Sequence, residues 1–124
     1  MERWIISCNL KYYDVISAFS DLQKLDWQQS NMKMKTGDEV YIYVGPPYKK
    51  VMYRCRINKV CLKNMEIDAS AYVINGEPFE NYGNYMELEL IEVFDDDRYS
   101  LDRLRLKGMK GNVQGPRRAY SFFE

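Results

Sequence analysis

Apolar and polar positions follow a strand pattern most clearly between residues 37 and 60. Gly37-Asp38 signals a turn, and Val40 to Val44 is β-branched or aromatic at every position. Strand side chains alternate, so Val40, Ile42 and Val44 point one way while Tyr41 and Tyr43 point the other. A strand with two apolar faces is either covered by core on both or lines a pocket with its tyrosines. Gly45-Pro46-Pro47 then ends it, because proline cannot donate to a ladder. The next strand, 50–61, has one buried and one polar face. Val51, Tyr53, Cys55 and Ile57 alternate there with Met52, Arg54, Arg56 and Asn58.

Other stretches complete an element map. Arg3 to Cys8, with bulky Trp4-Ile5-Ile6, reads as a first strand. Asn9 caps a following helix in which Tyr12, Val15, Ile16, Phe19 and Leu22 share one face. Gln23 to Lys35 is polar apart from Leu25 and Trp27 and reads as loop. Residues 64–82 carry turn signals at Asn75-Gly76 and Glu77-Pro78 and read as a long excursion with a short helix or strand. In the strand Tyr85 to Phe94, Met86, Leu88 and Leu90 give way to Ile91 and Val93 on the opposite parity. Such a switch marks a bulge or a barrel corner. Ser100 starts a short helix with Leu101 and Leu104 inward, closed by Gly108. Residues 111–118 form a basic, glycine-rich loop, and Ala119 to Glu124 opens a final helix. The expected fold is α+β: one domain over 1–124, a strongly bent mixed sheet or pseudo-barrel flanked by two or three short helices.

Composition narrows the function classes. Histidine is absent, which removes the commonest general base and the commonest metal ligand. Eleven tyrosines and two tryptophans favour a binder over a catalyst. The three cysteines lack metal-type spacing and fit reduced thiols in a cytoplasm, and no cofactor is expected. The chain shows neither a signal peptide nor an apolar run near the roughly 18 residues a membrane span needs. Net charge is zero, yet residues 1–63, 64–97 and 98–124 sum to +5, −10 and +5. That sorting gives either a dipolar surface or cross-strand pairs of Glu87 and Glu89 with Arg54 and Arg56.

Several residues are candidates for binding chemistry. Trp27, in a polar stretch, either plugs an open barrel end or forms a wall of an aromatic pocket with Tyr41 or Tyr43. In Lys110 to Arg118, two glycines flank polar side chains. Asn112 and Gln114 carry the donor–acceptor pairs that read a base edge, and Arg117 and Arg118 suit phosphates, unless the run is a solvated turn. Ser7, Cys8 and Asn9 leave the first strand, with Cys8 read as a core thiol. Tyr48, beside Lys49-Lys50, either stacks on a base or decorates a hairpin tip.

The order of these pieces resembles the EVE domains of the PUA-like superfamily, relatives of the YTH and ASCH domains. The resemblance runs from the first Trp strand with Ser-x-Asn, through the loop tryptophan and Gly37 to Gly45, to the late Gly-x-x-Gln-Gly-Pro-Arg. It implies a curved barrel with an aromatic pocket for a flipped, modified base, such as 5-methylcytosine in DNA. Modified RNA is the alternative ligand. On that resemblance Trp27 and Tyr43 are pocket walls, Ser7, Asn9 and Gln114 polar readers, and Arg117 faces the nucleic-acid backbone. It also implies a bacterial or phage defence setting with a fused or associated restriction nuclease, this chain being the reader module of a longer protein. From other classes, a protein adaptor using the acidic 64–97 segment and an enzyme acting on nucleotides stay open, the missing histidine making the enzyme the weakest.

Overall fold

A computed structural model describes residues 1–29, 31–63, 72–74, 84–111, 113 and 116–119. Among them, six strands form one mixed sheet and two short helices flank it. The strands are β1 (Arg3–Cys8), β2 (Lys24–Gln28), β3 (Glu39–Val44), β4 (Lys50–Leu62), β5 (Tyr85–Val93) and β6 (Arg117–Arg118). The helices are α1 (Val15–Asp21) and α2 (Leu101–Leu106). The spatial order is β2-β5-β4-β3-β1-β6, and β1 pairs with β3 in parallel, Ile6 opposite Ile42 and Ser7 opposite Tyr43. Among the described residues β2 and β6 are edges that do not pair with each other, so the sheet is open rather than a closed barrel.

Both faces of β3 are covered. Val40, Ile42 and Val44 join one apolar cluster with Trp4, Ile6, Tyr53, Cys55 and Leu88, under α1. Tyr41 and Tyr43 join a second with Ile5, Val51, Phe94 and Leu104, under α2. The two clusters meet through bulges. Ile42 faces Tyr53 but Tyr43 faces Val51, leaving Met52 as the extra residue. Val51 and Tyr53 share a parity, and the bulge sends them to opposite faces. In β5 the switch of parity is another bulge: Arg54 faces Glu92 while Cys55 faces Leu90, so Ile91 stands unopposed.

Three local expectations are corrected. The 24–28 stretch is a strand, because Leu25 and Trp27 alternate onto the first cluster while the residues pair with Tyr85 to Glu89. Asn9 caps a turn instead of a helix: its Oδ1 accepts from Lys11 N at 2.9 Å, and its carbonyl accepts from Tyr12 N at 3.0 Å. The helix starts at Val15, capped by Asp14, whose Oδ1 accepts from Ser17 N at 3.1 Å and whose Oδ2 accepts from Ser17 Oγ at 2.7 Å. Arg117 and Arg118, read as loop, add a short strand against Ile5 and Trp4. The anticipated helix at the chain end, and the 64–82 excursion apart from 72–74, lie outside the described residues.

The acidic side chains of β5 are matched across strands. Arg56 Nη2 donates to Glu89 Oε1 at 2.9 Å, Lys59 Nζ lies 3.8 Å from Glu87, and Arg54 lies 3.6 Å from Glu92. The surface pairs contribute at most about 1 kcal/mol each but cancel the local acidity. No helix of the described residues is long and apolar enough to cross a membrane. Cys8 and Cys55 are buried and Cys61 is exposed. A thiol reagent at pH 7.5 is therefore expected to titrate one sulfur quickly and the other two only on unfolding. Three fast thiols would contradict this packing.

Candidate functional site

The ends of β1 and β3 and the packing of α2 create the main candidate site. Gly45 N donates to the Cys8 carbonyl at 3.1 Å, holding the exits of the parallel pair together. The chain then turns through Tyr48 and Lys49, whose amides both reach back to the Gly45 carbonyl, at 3.0 and 3.3 Å. The segment before α2 docks on the start of β4: Val51 N donates to the Tyr99 carbonyl and Leu101 N to the Lys49 carbonyl, each at 2.9 Å. Ser100 caps α2 by accepting from Arg103 N at 3.3 Å. Gly108 ends it at a φ of +103°, a conformation glycine adopts without strain.

A recess of about 490 Å³ lies between these pieces. Ser7, Asn9 and Tyr43 line one side, and Lys49, Leu101 and Arg105 the other, with Cys8 and Val113 also in the wall. Ser7 and Tyr43 are register partners on parallel strands and follow Ile5 and Tyr41 onto the α2 side of the sheet. Burial pushes the Tyr43 phenol up from its ordinary range, and the Arg105 guanidinium partly offsets this. The Cys8 side chain turns away to the α1 side of the sheet, where burial pushes its thiol up to about 12. It stays protonated at neutral pH and is a poor nucleophile there. The recess thus combines hydroxyl and amide groups, an aromatic wall and two cations at the rim.

Of the other sequence candidates, Trp27 stands elsewhere. It packs edge-on against Tyr13, ring centroids 5.6 Å apart, with the cluster on the α1 side of the sheet. Tyr43 belongs to the opposite side, so the two rings cannot face each other across one pocket. Alternation along β2 and β3 decides this, and no loop freedom is left to change it. Arg118 is also engaged structurally: its guanidinium lies 5.2 Å from the Trp4 ring centroid, and its Nε is 3.7 Å from Glu2. Arg117 Nη1 donates to the Lys110 carbonyl at 3.1 Å, tying down the loop after α2. Tyr48 lines a neighbouring recess at the hairpin tip. Asn112 and Gln114 lie outside the described residues. Arg105 is not singled out in the sequence, and Leu101 is read there only as an inward helix residue. Their signal was weak, since only the docking of α2 onto β4 brings them to β1.

No protein-family model and no curated protein matches the chain. Solved structures do. A hypothetical protein from Leishmania major superposes with a TM-score of 0.65 at 13% identity, covering 98% of this chain and 88% of that one. An ASCH protein from Zymomonas mobilis gives 0.61 at 13% identity, covering 97% and 89%. A Pseudomonas putida protein gives 0.64 at 15%, covering 97% and 93%. The chain shares the fold of the Zymomonas mobilis ASCH protein. Such low identity carries the architecture alone, and the chemistry of this domain rests on its own residues. In those terms the α2 recess is a concave site of a size that accepts a small molecule.

Proposed function

We propose that this domain is a PUA-like, non-catalytic nucleic-acid-binding module of EVE type that takes a flipped, modified base into the α2 recess. One observation supports the reading above the others: Ser7, Asn9 and Tyr43 share a recess whose rim carries Lys49 and Arg105. Hydroxyl and amide groups suit a base edge, the tyrosine ring supplies apolar surface, and the two cations suit flanking phosphates. The absence of histidine from the sequence favours binding over catalysis. Any cutting then belongs to a fused or associated nuclease. The favoured ligand is 5-methylcytosine in DNA. A base must leave the stack to enter such a site, and edge hydrogen bonds with aromatic contact offset the lost stacking. Cross-strand pairing of the β5 carboxylates makes an acidic protein-docking face the weaker reading.

The test is fluorescence-polarisation binding to matched DNA and RNA oligonucleotides with and without 5-methylcytosine. Ser7→Leu, which fills the recess and removes its hydroxyl, is expected to weaken binding to the modified oligonucleotide at least tenfold. Trp27→Phe, on the other side of the sheet, is expected to leave it within twofold. Equal binding of modified and unmodified strands, unchanged by Ser7→Leu, would refute the base-reading site. Preference for the modified RNA would keep the site and change its polymer.

A further inference from the structure

Among the described residues, two further hollows continue around α2 from the base recess, the first of the series. The second, about 610 Å³, shares Lys49, Leu101 and Arg105 with the first and adds Tyr48 and Arg103. The third, about 530 Å³, shares Arg103 with the second and adds Tyr99, Leu106 and Lys107. Neighbouring hollows thus have walls in common, and each common wall carries a cation.

Charge follows the same line. Arg103 and Lys107, the C-cap residue of α2, stand four residues apart and line the same hollow, while Arg105 lines the base recess. Two carboxylates, Asp97 and Asp102, line the middle hollow, and Asp97 is already matched by Lys50 Nζ at 3.4 Å. In the third hollow Arg98 is held by Asp96, with Nη2 to Oδ2 at 2.9 Å, while Arg103 lines the wall and Lys107 Nζ lies 5.5 Å from the Tyr99 ring centroid. Leu106 lines the same hollow while 87% exposed, an apolar surface that a sugar or base can cover. Cations repeated along a groove, with apolar and aromatic surface between them, match the alternation of phosphates and bases in a polynucleotide strand.

We infer that the strand carrying the bound base continues over α2, its phosphates meeting Arg103 and then Lys107 in a second binding segment beside Tyr99. This rests on the base-recess reading and extends it. The ligand becomes a stretch of strand, on the order of four nucleotides or more, rather than a single nucleotide. The cations of α2 contribute affinity without reading sequence, since phosphate contacts position a strand and base contacts specify it.

The experiment compares wild type with the double variant Arg103→Gln/Lys107→Gln, both folded by circular dichroism. The probes are a labelled single-stranded DNA 12-mer with one central 5-methylcytosine, its RNA counterpart, and the 5-methylcytidine mononucleotide as competitor. The 12-mer is expected to bind the variant about tenfold more weakly at low salt. The slope of log affinity against log salt should fall by about 1.4, the loss of two single-strand phosphate contacts. Competition by the mononucleotide, which occupies the recess alone, should be unchanged. If 12-mer affinity and salt slope match wild type, the path over α2 is wrong while the recess reading survives. A variant equally weakened toward mononucleotide and 12-mer would also overturn the path. If wild type binds no probe, the recess reading itself fails and the path fails with it.

Discussion

Replacing Asp38 with alanine is expected to cost about 3–5 kcal/mol of stability. Asp38 is 4% exposed, and its carboxylate gathers three donors from two separate segments. Oδ1 accepts from Glu2 N at 3.0 Å, while Oδ2 accepts from the Trp4 indole Nε1 at 3.0 Å and Lys35 N at 3.1 Å. Each bond to a charged acceptor is worth about 1.5–3 kcal/mol, and alanine leaves the indole N–H in a dry site without a partner. The carboxylate also sits where β1 enters beside β3, with Glu39 N donating to the Glu2 carbonyl at 3.0 Å. Denaturant unfolding of Asp38→Ala should show the loss directly, along with a fall in melting temperature of roughly 10–20 °C. Asp38→Asn, which keeps one acceptor oxygen, should fall between. A loss below about 1 kcal/mol would mean that β1 is held by its apolar face alone.

Alkaline pH is expected to weaken the fold. Burial pushes the Cys8 thiol from 9.0 to about 12 and the Tyr53 phenol from 10.0 to about 12. Cys55 moves upward for the same reason. In each case the folded chain favours the neutral form and the unfolded chain releases its proton first. The stabilisation is therefore complete below pH 9 and is lost as pH rises toward 12. By pH 10.5 the Cys8 thiol alone should lower stability by about 2 kcal/mol, from 1.36 kcal/mol per unit. Cys55, and above pH 10 Tyr53, act in the same direction. Unfolding free energies at pH 8 and pH 10.5 would check this, with Cys8→Ala flattening part of the decline. A stability that does not change between those two pH values would show that the thiols are not dry in the folded state.

Sequence patterning revealed the parts of this fold whose partners are nearby or whose periodicity is long. The paired apolar faces of Val40 to Val44, the one-sided strand after the Gly-Pro-Pro turn and the bulge in β5 were all readable from alternation. The cap of α2 was equally legible from Ser100 and the leucines behind it. In β2 the pattern was too short, two apolar residues around Asp26, and its identity comes from pairing with β5. Two residues cannot announce a strand, so β6 exists only because the edge of β1 is open to it. Ser7 and Asn9 entered as candidate readers only through the resemblance to EVE domains, while alternation along β3 also pointed to Tyr43. Arg105 could not be nominated, because its place beside them follows from backbone bonds between Lys49, Val51, Tyr99 and Leu101. Trp27 shows the limit from the other side: residue type suggested an aromatic wall, and strand parity sent it to the opposite cluster.

The place of β1, between β3 and β6, has a consequence during synthesis. This strand leaves the ribosome before the partners on either side of it. About 36 residues separate Cys8 from the end of β3 at Val44, or roughly two to seven seconds at ordinary elongation rates, and β6 follows only near residue 117. Through that interval Trp4, Ile5 and Ile6 form a short apolar segment with unpaired backbone on both sides, the kind of edge that recruits other chains. The hairpins among β3, β4 and β5 can close locally, whereas β1 must be captured in parallel by a sheet already assembled. Aggregation of nascent or truncated forms should therefore begin at the first strand, and holdase chaperones should find their earliest grip there.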